Sequence, residues 1–244
     1  MRTSLFVGVL LLSPALLAQE AVPAGTILPV LLTTTISPKI TKSGQALCAR
    51  VMQDVPLPNG RSIRAGAQVT GRVLDVVPAA SGKPATVSFV FDKLSFSKTT
   101  TPIRTNLRAL ASPLDIDGAQ IPDFGADRGT PYVAWVTNQV GGETVYRGGG
   151  HVMSGNQIVG EPANGGVLVR VSTSSDSSCR GDVAGNDRPQ ALWVFASYAC
   201  GLYGYPHLAI VSAGRTDPVG VITLSSQDGE LKVWKDSGML LRVN

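Results

Sequence analysis

The sequence has little of what is typical of helical proteins or of common enzyme families. No long window carries apolar residues at the helical spacing of i, i+3, i+4 and i+7. Only 2 histidines are present, and no G-x-S-x-G motif offers a serine nucleophile. The glycines at 148–150 are not followed by Lys-Ser or Lys-Thr, which excludes a phosphate-binding loop. We therefore predict a β protein without catalytic residues, a metal site or a cofactor.

Long apolar runs are also scarce, and the one that stands out is at the N terminus. Arg2 supplies a positive charge, residues 5–12 and 15–17 are apolar, and Ala18 precedes the polar Gln19. This pattern predicts an export signal over residues 1–18 that is cleaved after Ala18, with an uncleaved anchor as the alternative. No later run is long enough to cross a bilayer as a helix. We expect a periplasmic or extracellular protein with no integral membrane span in the mature chain.

Charge is distributed unevenly along the chain. Residues 19–112 contain 11 Lys and Arg against 4 Asp and Glu, a net charge of +7, whereas residues 113–244 contain 9 against 13, a net charge of −4. The basic half would suit an anionic cell-wall or membrane surface, or it could face the acidic half of its own chain. Nucleic acid is not expected as a partner, because the basic residues are not interleaved with stacking aromatics.

The 3 cysteines would meet an oxidising environment after export. Cys179 and Cys200 flank a turn and an apolar run at 189–195, and a disulfide between them would tie that run to the preceding segment. We predict this disulfide. Cys48 is then the odd cysteine, and we interpret it as a small buried residue, with a reactive thiol as the alternative.

Short alternating runs between Gly, Pro, Asn and Asp clusters predict strands throughout. The clearest is the stretch 61–76, where a turn leads into β-branched residues at every second position. In the first half we predict strands at 24–34, 47–55, 69–76, 85–91 and 103–109. The last one alternates Ile103, Thr105, Leu107 and Ala109 with Arg104, Asn106 and Arg108. This alternation predicts a basic outer face, so Arg104 and Arg108 are candidate partner-binding residues.

The predicted fold class is all-β, with two units. A basic β domain, a small barrel or sandwich, is expected at 19–112, and a disulfide-stapled, acidic, sandwich-like β domain at 143–244. The turn-rich residues 113–142 are expected to form a linker or a long loop. In the second half we predict strands at 144–146, 167–171, 191–197, 208–211, 219–224, 231–234 and 239–243.

The first half also carries a familiar order of small and apolar residues. They are Ala24-Gly25-Thr26, Leu28-Pro29-Val30-Leu31, Gly44, Ala49-Arg50-Val51, Gly60-Arg61, Ile63, Ala65-Gly66, Gly71-Arg72-Val73, Phe91-Asp92-Lys93-Leu94, Phe96 and Ile103. This order, over residues 22–110, resembles the β-barrel domain of TrbI-like proteins, the envelope-spanning components of type IV secretion and conjugation machines. The resemblance implies a similar barrel in an envelope protein and, as one alternative, a structural role in a secretion assembly.

Three further groups of residues could carry chemistry. The aromatics at 201–206 include Tyr203 and Tyr205, which would either bind a sugar or a partner protein or belong to the core. His151 or His207 beside a carboxylate, or two opposed carboxylates among Glu143, Glu161 and Asp176, would indicate a hydrolase. Asp115, Asp117, Asp123 and Asp127 lack the spacing of a calcium loop and are interpreted as solvated loop acids.

The function that these observations favour is a non-enzymatic one. We expect an exported cell-envelope protein that binds or scaffolds an envelope protein or an anionic envelope surface. A secreted hydrolase acting on carbohydrate or peptidoglycan is the alternative from a different class.

Overall fold

The structure is a computed structural model that describes residues 21–121, 136–146, 150–226 and 228–244. The predicted export signal lies outside these ranges. No helix within them has the length and apolar character needed to cross a membrane. The described residues form one short helix and eighteen strands, so the predicted all-β class is confirmed.

Eight strands come from the first half of the chain. They are β1 (Ile27–Leu32), β2 (Ala46–Val51), β3 (Val55–Pro56), β4 (Ser62–Ile63), β5 (Gln68–Val77), β6 (Thr86–Phe96), β7 (Thr99–Pro102) and β8 (Thr105–Ala111). The five strands predicted here correspond to β1, β2, β5, β6 and β8. In β6 the alternate residues Val87, Phe89 and Phe91 are buried, as period-two burial requires. Gly71 in β5 lies at a bulge, where a Cβ atom would come within 1.8 Å of the Val90 carbonyl oxygen.

The second half begins with helix α1 (Pro113–Gly118) and adds ten strands. They are β9 (Val136–Asn138), β10 (Thr144–Tyr146), β11 (Val152–Ser154), β12 (Gln157–Ala163), β13 (Gly166–Arg170), β14 (Pro189–Ala191), β15 (Gly201–Tyr203), β16 (Leu208–Ala213), β17 (Ile222–Ser226) and β18 (Gly238–Val243). The predicted strand at 191–197 is wrong over most of its length, because the chain leaves the extended conformation after Ala191 and Trp193 adopts a φ of 54°. At 231–234 only Val233 makes a strand-like bridge, to Ile36.

Two large sheets form a sandwich-like arrangement. The main sheet has the order β15-β8-β18-β1-β2-β5-β6-β17-β16, with β7 added beside β6. The second has the order β14-β13-β12-β11-β10-β9. Among the described strands the main sheet has two ends, β15 and β16, and does not close into a barrel. The four residues 204–207 join these two ends.

Strands β1, β8 and β18 lie at the centre of the molecule. One of their faces points into the larger apolar core with Leu28, Leu107 and Leu241. The other face, with Ile27, Ala109 and Leu240, packs in a second core that also contains valines of the smaller sheet. Every residue of β8 is consequently buried, including those predicted to form an outer face.

The sheet topology corrects the predicted division of the chain. The C-terminal β18 pairs with β1 on one side and β8 on the other, and β17 pairs with β6. Strands of the predicted domains 19–112 and 143–244 therefore share one hydrogen-bonded sheet and one core. Local sequence patterns locate strands but do not show which distant strands pair. The predicted division between 19–112 and 143–244 therefore separates strands that belong to the same sheet.

Candidate binding surfaces

Arg108 lies inside the protein and not on a binding surface. Its side chain is fully buried and donates hydrogen bonds to five backbone carbonyls, at 2.7 Å to 3.4 Å. The acceptors belong to Ser172, Asp182, Ala184, Ser197 and Ala199. Burial lowers the pKa of the guanidinium to about 10, partly offset by the nearby Asp182 carboxylate. The prediction of Arg108 as a partner-binding residue is therefore wrong, because β8 is covered on both faces.

The segment that Arg108 holds is the irregular loop from 171 to 200. A second arginine, Arg242 of β18, contacts the same loop through the Asp182 carboxylate at 3.4 Å and the Asn186 amide oxygen at 2.8 Å. The predicted disulfide between Cys179 and Cys200 is present, with a Cα–Cα distance of 5.7 Å. Cys48 is a free, partly buried cysteine on β2.

The two candidate tyrosines are involved in internal contacts. The hydroxyl oxygen of Tyr203 accepts from the Cys200 amide at 3.1 Å, and the half-buried ring packs against the second core. Tyr205 is 8% exposed and belongs to the larger core. Burial raises the pKa of both phenols. These contacts correspond to the core interpretation that the sequence left open.

A groove of ≈ 870 Å³ lies at the gap between the two ends of the main sheet. We call it the aromatic groove. One wall is formed by residues 112–114 at the start of α1, and another by residues 204–208, which lead from β15 into β16. The third is the segment after β17, which contributes Asp228, Glu230, Lys232 and Trp234. The connection between β15 and β16 contributes the exposed residues Gly204, Pro206 and His207 to this groove.

Trp234 is the principal apolar surface of the aromatic groove. It is 48% exposed, and the Lys232 ammonium lies 3.3 Å from the centroid of its ring. Tyr205 holds the Trp234 backbone, since its hydroxyl oxygen accepts from the Trp234 amide at 3.3 Å. Ser237 donates to the Trp234 carbonyl at 2.6 Å and contacts the Tyr205 hydroxyl at 2.5 Å.

The rim of the aromatic groove carries paired charges. His207 Nδ1 lies 2.7 Å from an Asp228 carboxylate oxygen, and both side chains are exposed. Lys39 Nζ lies 3.2 Å from a Glu230 carboxylate oxygen, which joins the basic and acidic halves of the chain. A histidine and a carboxylate in one groove is the arrangement that the hydrolase alternative requires.

A second, smaller groove of ≈ 400 Å³ lies on β5, β6 and the turn before β8. We call it the basic groove, because Arg72, Lys93 and Arg104 line it together with the single acid Asp92. Arg72 pairs with Asp92. Lys93 and Arg104 are exposed, and within the described residues neither has an acidic partner. Arg104 lies on the surface between β7 and β8, whereas Asn106 and Arg108, which the same alternation predicted on the outer face, are buried.

The chain matches no protein-family model and no curated protein. The resemblance to TrbI-like domains therefore stays a prediction, and the function has to be argued from the two grooves.

The remaining candidate residues lie outside both grooves. His151 pairs with Glu161 at 2.7 Å, with both side chains exposed. Glu143 is buried and accepts from the amide and hydroxyl of Ser197, and burial raises the pKa of its carboxyl. Asp176 is solvent-exposed and accepts from the Ser178 amide. Glu143, Glu161 and Asp176, the predicted acids, thus line neither groove and do not form the opposed pair that a glycosidase would need there.

The predicted loop acids divide between the helix and the part of the chain outside the described ranges. Asp115 and Asp117 belong to α1, where Ser112 caps the helix and hydrogen-bonds Asp115. Asp123 and Asp127 lie outside the described residues. In the described part of the chain, no three His, Cys, Asp or Glu side chains come together as they would around a metal ion.

Sequence reasoning missed Lys93, Arg72, Lys232 and Trp234 as surface-site residues. The signal for the last pair was present, since Lys232 and Trp234 are two residues apart and extended chain places such residues on one face. No local pattern brings Arg72 and Lys93 to Arg104, because that requires the pairing of β5 with β6 and the fold of the turn after β7.

Proposed function

We propose that the protein is an exported, non-enzymatic component of the cell envelope that binds an anionic envelope surface through the basic groove. One observation carries this proposal: Lys93 and Arg104, both exposed and without acidic partners in the described chain, lie in one groove with Arg72. The export signal and the net charge of +7 over residues 19–112 point in the same direction.

The chemistry of the basic groove favours phosphate or carboxylate groups on a polymer or a lipid surface. Arginine offers planar pairs of N–H donors to such anions, and lysine offers a compact positive charge. Each cation close to an anionic surface contributes about 1 kcal/mol, and the attraction falls off within a Debye length of about 8 Å at physiological salt. Binding through this groove is therefore expected to weaken as salt is added.

The test is co-sedimentation of the protein from residue 19 onward with isolated cell-wall sacculi and, separately, with outer-membrane vesicles over a salt series. The substitution Arg104→Glu removes one cation and adds an anion in the groove, so binding at low salt should weaken by about tenfold or more. Comparing the sacculi with the vesicles identifies which surface supplies the anion.

Arg170→Glu is the matched control, because Arg170 is exposed at the end of β13 in the other sheet. It changes the net charge by the same amount outside the basic groove. An equal loss of binding in both variants would mean that overall charge, and not the groove, drives association. Absence of binding to either surface at low salt would refute the proposal.

A hydrolase acting on carbohydrate or peptidoglycan is the second candidate, and the His207–Asp228 pair in the aromatic groove favours it. Such a pair could accept a proton from an attacking water. Release of soluble fragments from sacculi by the wild-type protein, lost in His207→Gln, would establish this activity. Sacculi that stay intact after prolonged incubation would refute the hydrolase candidate and favour the non-enzymatic proposal.

A further inference from the structure

We infer that the aromatic groove is a binding site for a neutral carbohydrate chain, a ligand class that the basic groove does not suit. The inference goes beyond binding to an anionic surface and uses none of the residues of the basic groove. It rests on an exposed aromatic ring, on a backbone held in place around that ring, and on a rim whose charges are balanced.

The apolar part of the site suits the flat face of a sugar ring. Trp234 is 48% exposed and Leu114 is 82% exposed, and these two large apolar side chains border the same groove. A pyranose ring presents a face of C–H groups, which packs against an aromatic side chain, while its hydroxyls point to the sides. Lys232 lies over the Trp234 ring and would move aside or hydrogen-bond a hydroxyl of the bound sugar.

The backbone that carries the Trp234 ring is held by hydrogen bonds on both sides of the residue. The Trp234 amide donates to Tyr205, and the Trp234 carbonyl accepts from Ser237. Since the Ser237 hydroxyl donates to that carbonyl, the buried Tyr205 hydroxyl donates in turn to Ser237 at 2.5 Å. A backbone that is fixed around the aromatic side chain lowers part of the entropic cost of binding, which favours a weakly bound ligand such as a sugar.

The rim provides hydrogen-bonding groups without a net electrostatic preference. Its two carboxylates, Asp228 and Glu230, are matched by two ammonium groups, Lys39 and Lys232, and His207 pairs with Asp228. A carboxylate accepts about four hydrogen bonds and an ammonium group donates up to three. The paired groups can therefore still hydrogen-bond the hydroxyls of a ligand. Hydroxyl groups both donate and accept, and a neutral polyhydroxyl ligand matches this balanced rim better than a charged one. The volume of ≈ 870 Å³ lies in the usual range of about 300–1,000 Å³ for ligand clefts.

The experiment is a calorimetric titration of the protein from residue 19 onward with two neutral β-linked oligosaccharides, hexa-N-acetylchitohexaose and cellohexaose. At least one is expected to bind with an affinity that added salt does not reduce. Trp234→Ala should weaken binding by about tenfold or more, and Trp234→Phe, which keeps an aromatic face, should retain most of it. Tyr146→Ala is the control, because Tyr146 is 41% exposed on β10 in the other sheet.

The outcomes separate this inference from the proposed function. Arg104→Glu should leave the affinity for the oligosaccharides unchanged. The sugar-binding inference can therefore hold even if the basic groove binds no anionic surface. Equal affinities for wild type and Trp234→Ala, or no heat of binding with either sugar, would overturn the inference. Shortened oligosaccharides in the titration cell, absent with His207→Gln, would support the site and assign it to the hydrolase candidate.

Discussion

At the scale of single residues, Arg104 and Arg108 show how two chemically identical side chains can differ in burial. They are four residues apart, alternate with apolar neighbours and have the same chemistry, so the sequence assigns them one role. Arg104 precedes β8 and is exposed, whereas Arg108 is in the middle of β8 between two cores. A buried guanidinium is tolerated because five carbonyls of the loop from 171 to 200 accept its hydrogen bonds.

Replacing Arg108 by methionine should destabilise the protein strongly. The apolar stem is kept, but five carbonyls lose their donor inside the protein, and breaking a buried charged network costs about 3–5 kcal/mol. The measurement is the urea midpoint of unfolding, with Arg104→Met as the control, which should change stability by no more than about 0.5 kcal/mol. If both variants unfolded at the same urea concentration, the network would contribute nothing to stability.

At the scale of elements, the loop from 171 to 200 has little regular structure for its length. Its regular pairing is limited to β14 and a single bridge from Phe195 to Val140, and β15 begins directly after Cys200. Its position depends on hydrogen bonds from Arg108 and Arg242 and on the disulfide between Cys179 and Cys200. The same loop borders β15, which forms one end of the main sheet and leads into the aromatic groove.

Removing the disulfide should destabilise the chain. The cysteines are 21 residues apart, and closing a loop of that length restricts the unfolded chain by about 3 kcal/mol. The double substitution Cys179→Ser and Cys200→Ser should lower the urea midpoint, and dithiothreitol should have a similar effect on the wild type. Cys48→Ser is the control, because Cys48 is not part of the disulfide. Dithiothreitol should lower the urea midpoint of this variant as it does that of the wild type. A midpoint that neither change moves would show that the arginine contacts alone hold the loop.

At the scale of the whole molecule, the first and the last of the described strands are neighbours in the main sheet. β18 lies between β1 and β8, and the register runs from Ile27 opposite Arg242 to Gly238 opposite Ala111. The larger core combines residues of the first half with residues from the last quarter of the chain, such as Leu224, Met239 and Leu241. Because the two predicted domains share one sheet and one core, we expect them to unfold as a single cooperative unit.

The fragment 19–112 should therefore not fold alone. Without β18, strands β1 and β8 lose their shared neighbour, and β6 loses β17. We expect the fragment to lack a cooperative thermal transition by circular dichroism, in contrast to the protein from residue 19 to residue 244. A cooperative transition in the fragment, with dispersed amide signals in its NMR spectrum, would instead restore the division at residue 112.

The all-β class, most of the strand positions and the disulfide could be predicted from the sequence because each depends on local information. The alternating burial in β6 is one example, because a side-chain period of two depends on neighbouring residues only. The exposed Arg104, which lies between β7 and β8, is another. The left-handed Trp193 broke one predicted strand, because the loop around it is shaped by distant contacts such as that of its amide with Gln53.

What the sequence by itself determined about this protein is its class, its uneven charge and the residue types available for binding. Only the tertiary structure decided that Arg108 is a buried support, that Arg72, Lys93 and Arg104 share a groove, and that Trp234 meets His207 and Asp228 beside an open sheet end. The physical reason is that a local pattern shows which side of a strand a residue occupies, whereas the pairing of distant strands determines whether that side faces water or protein.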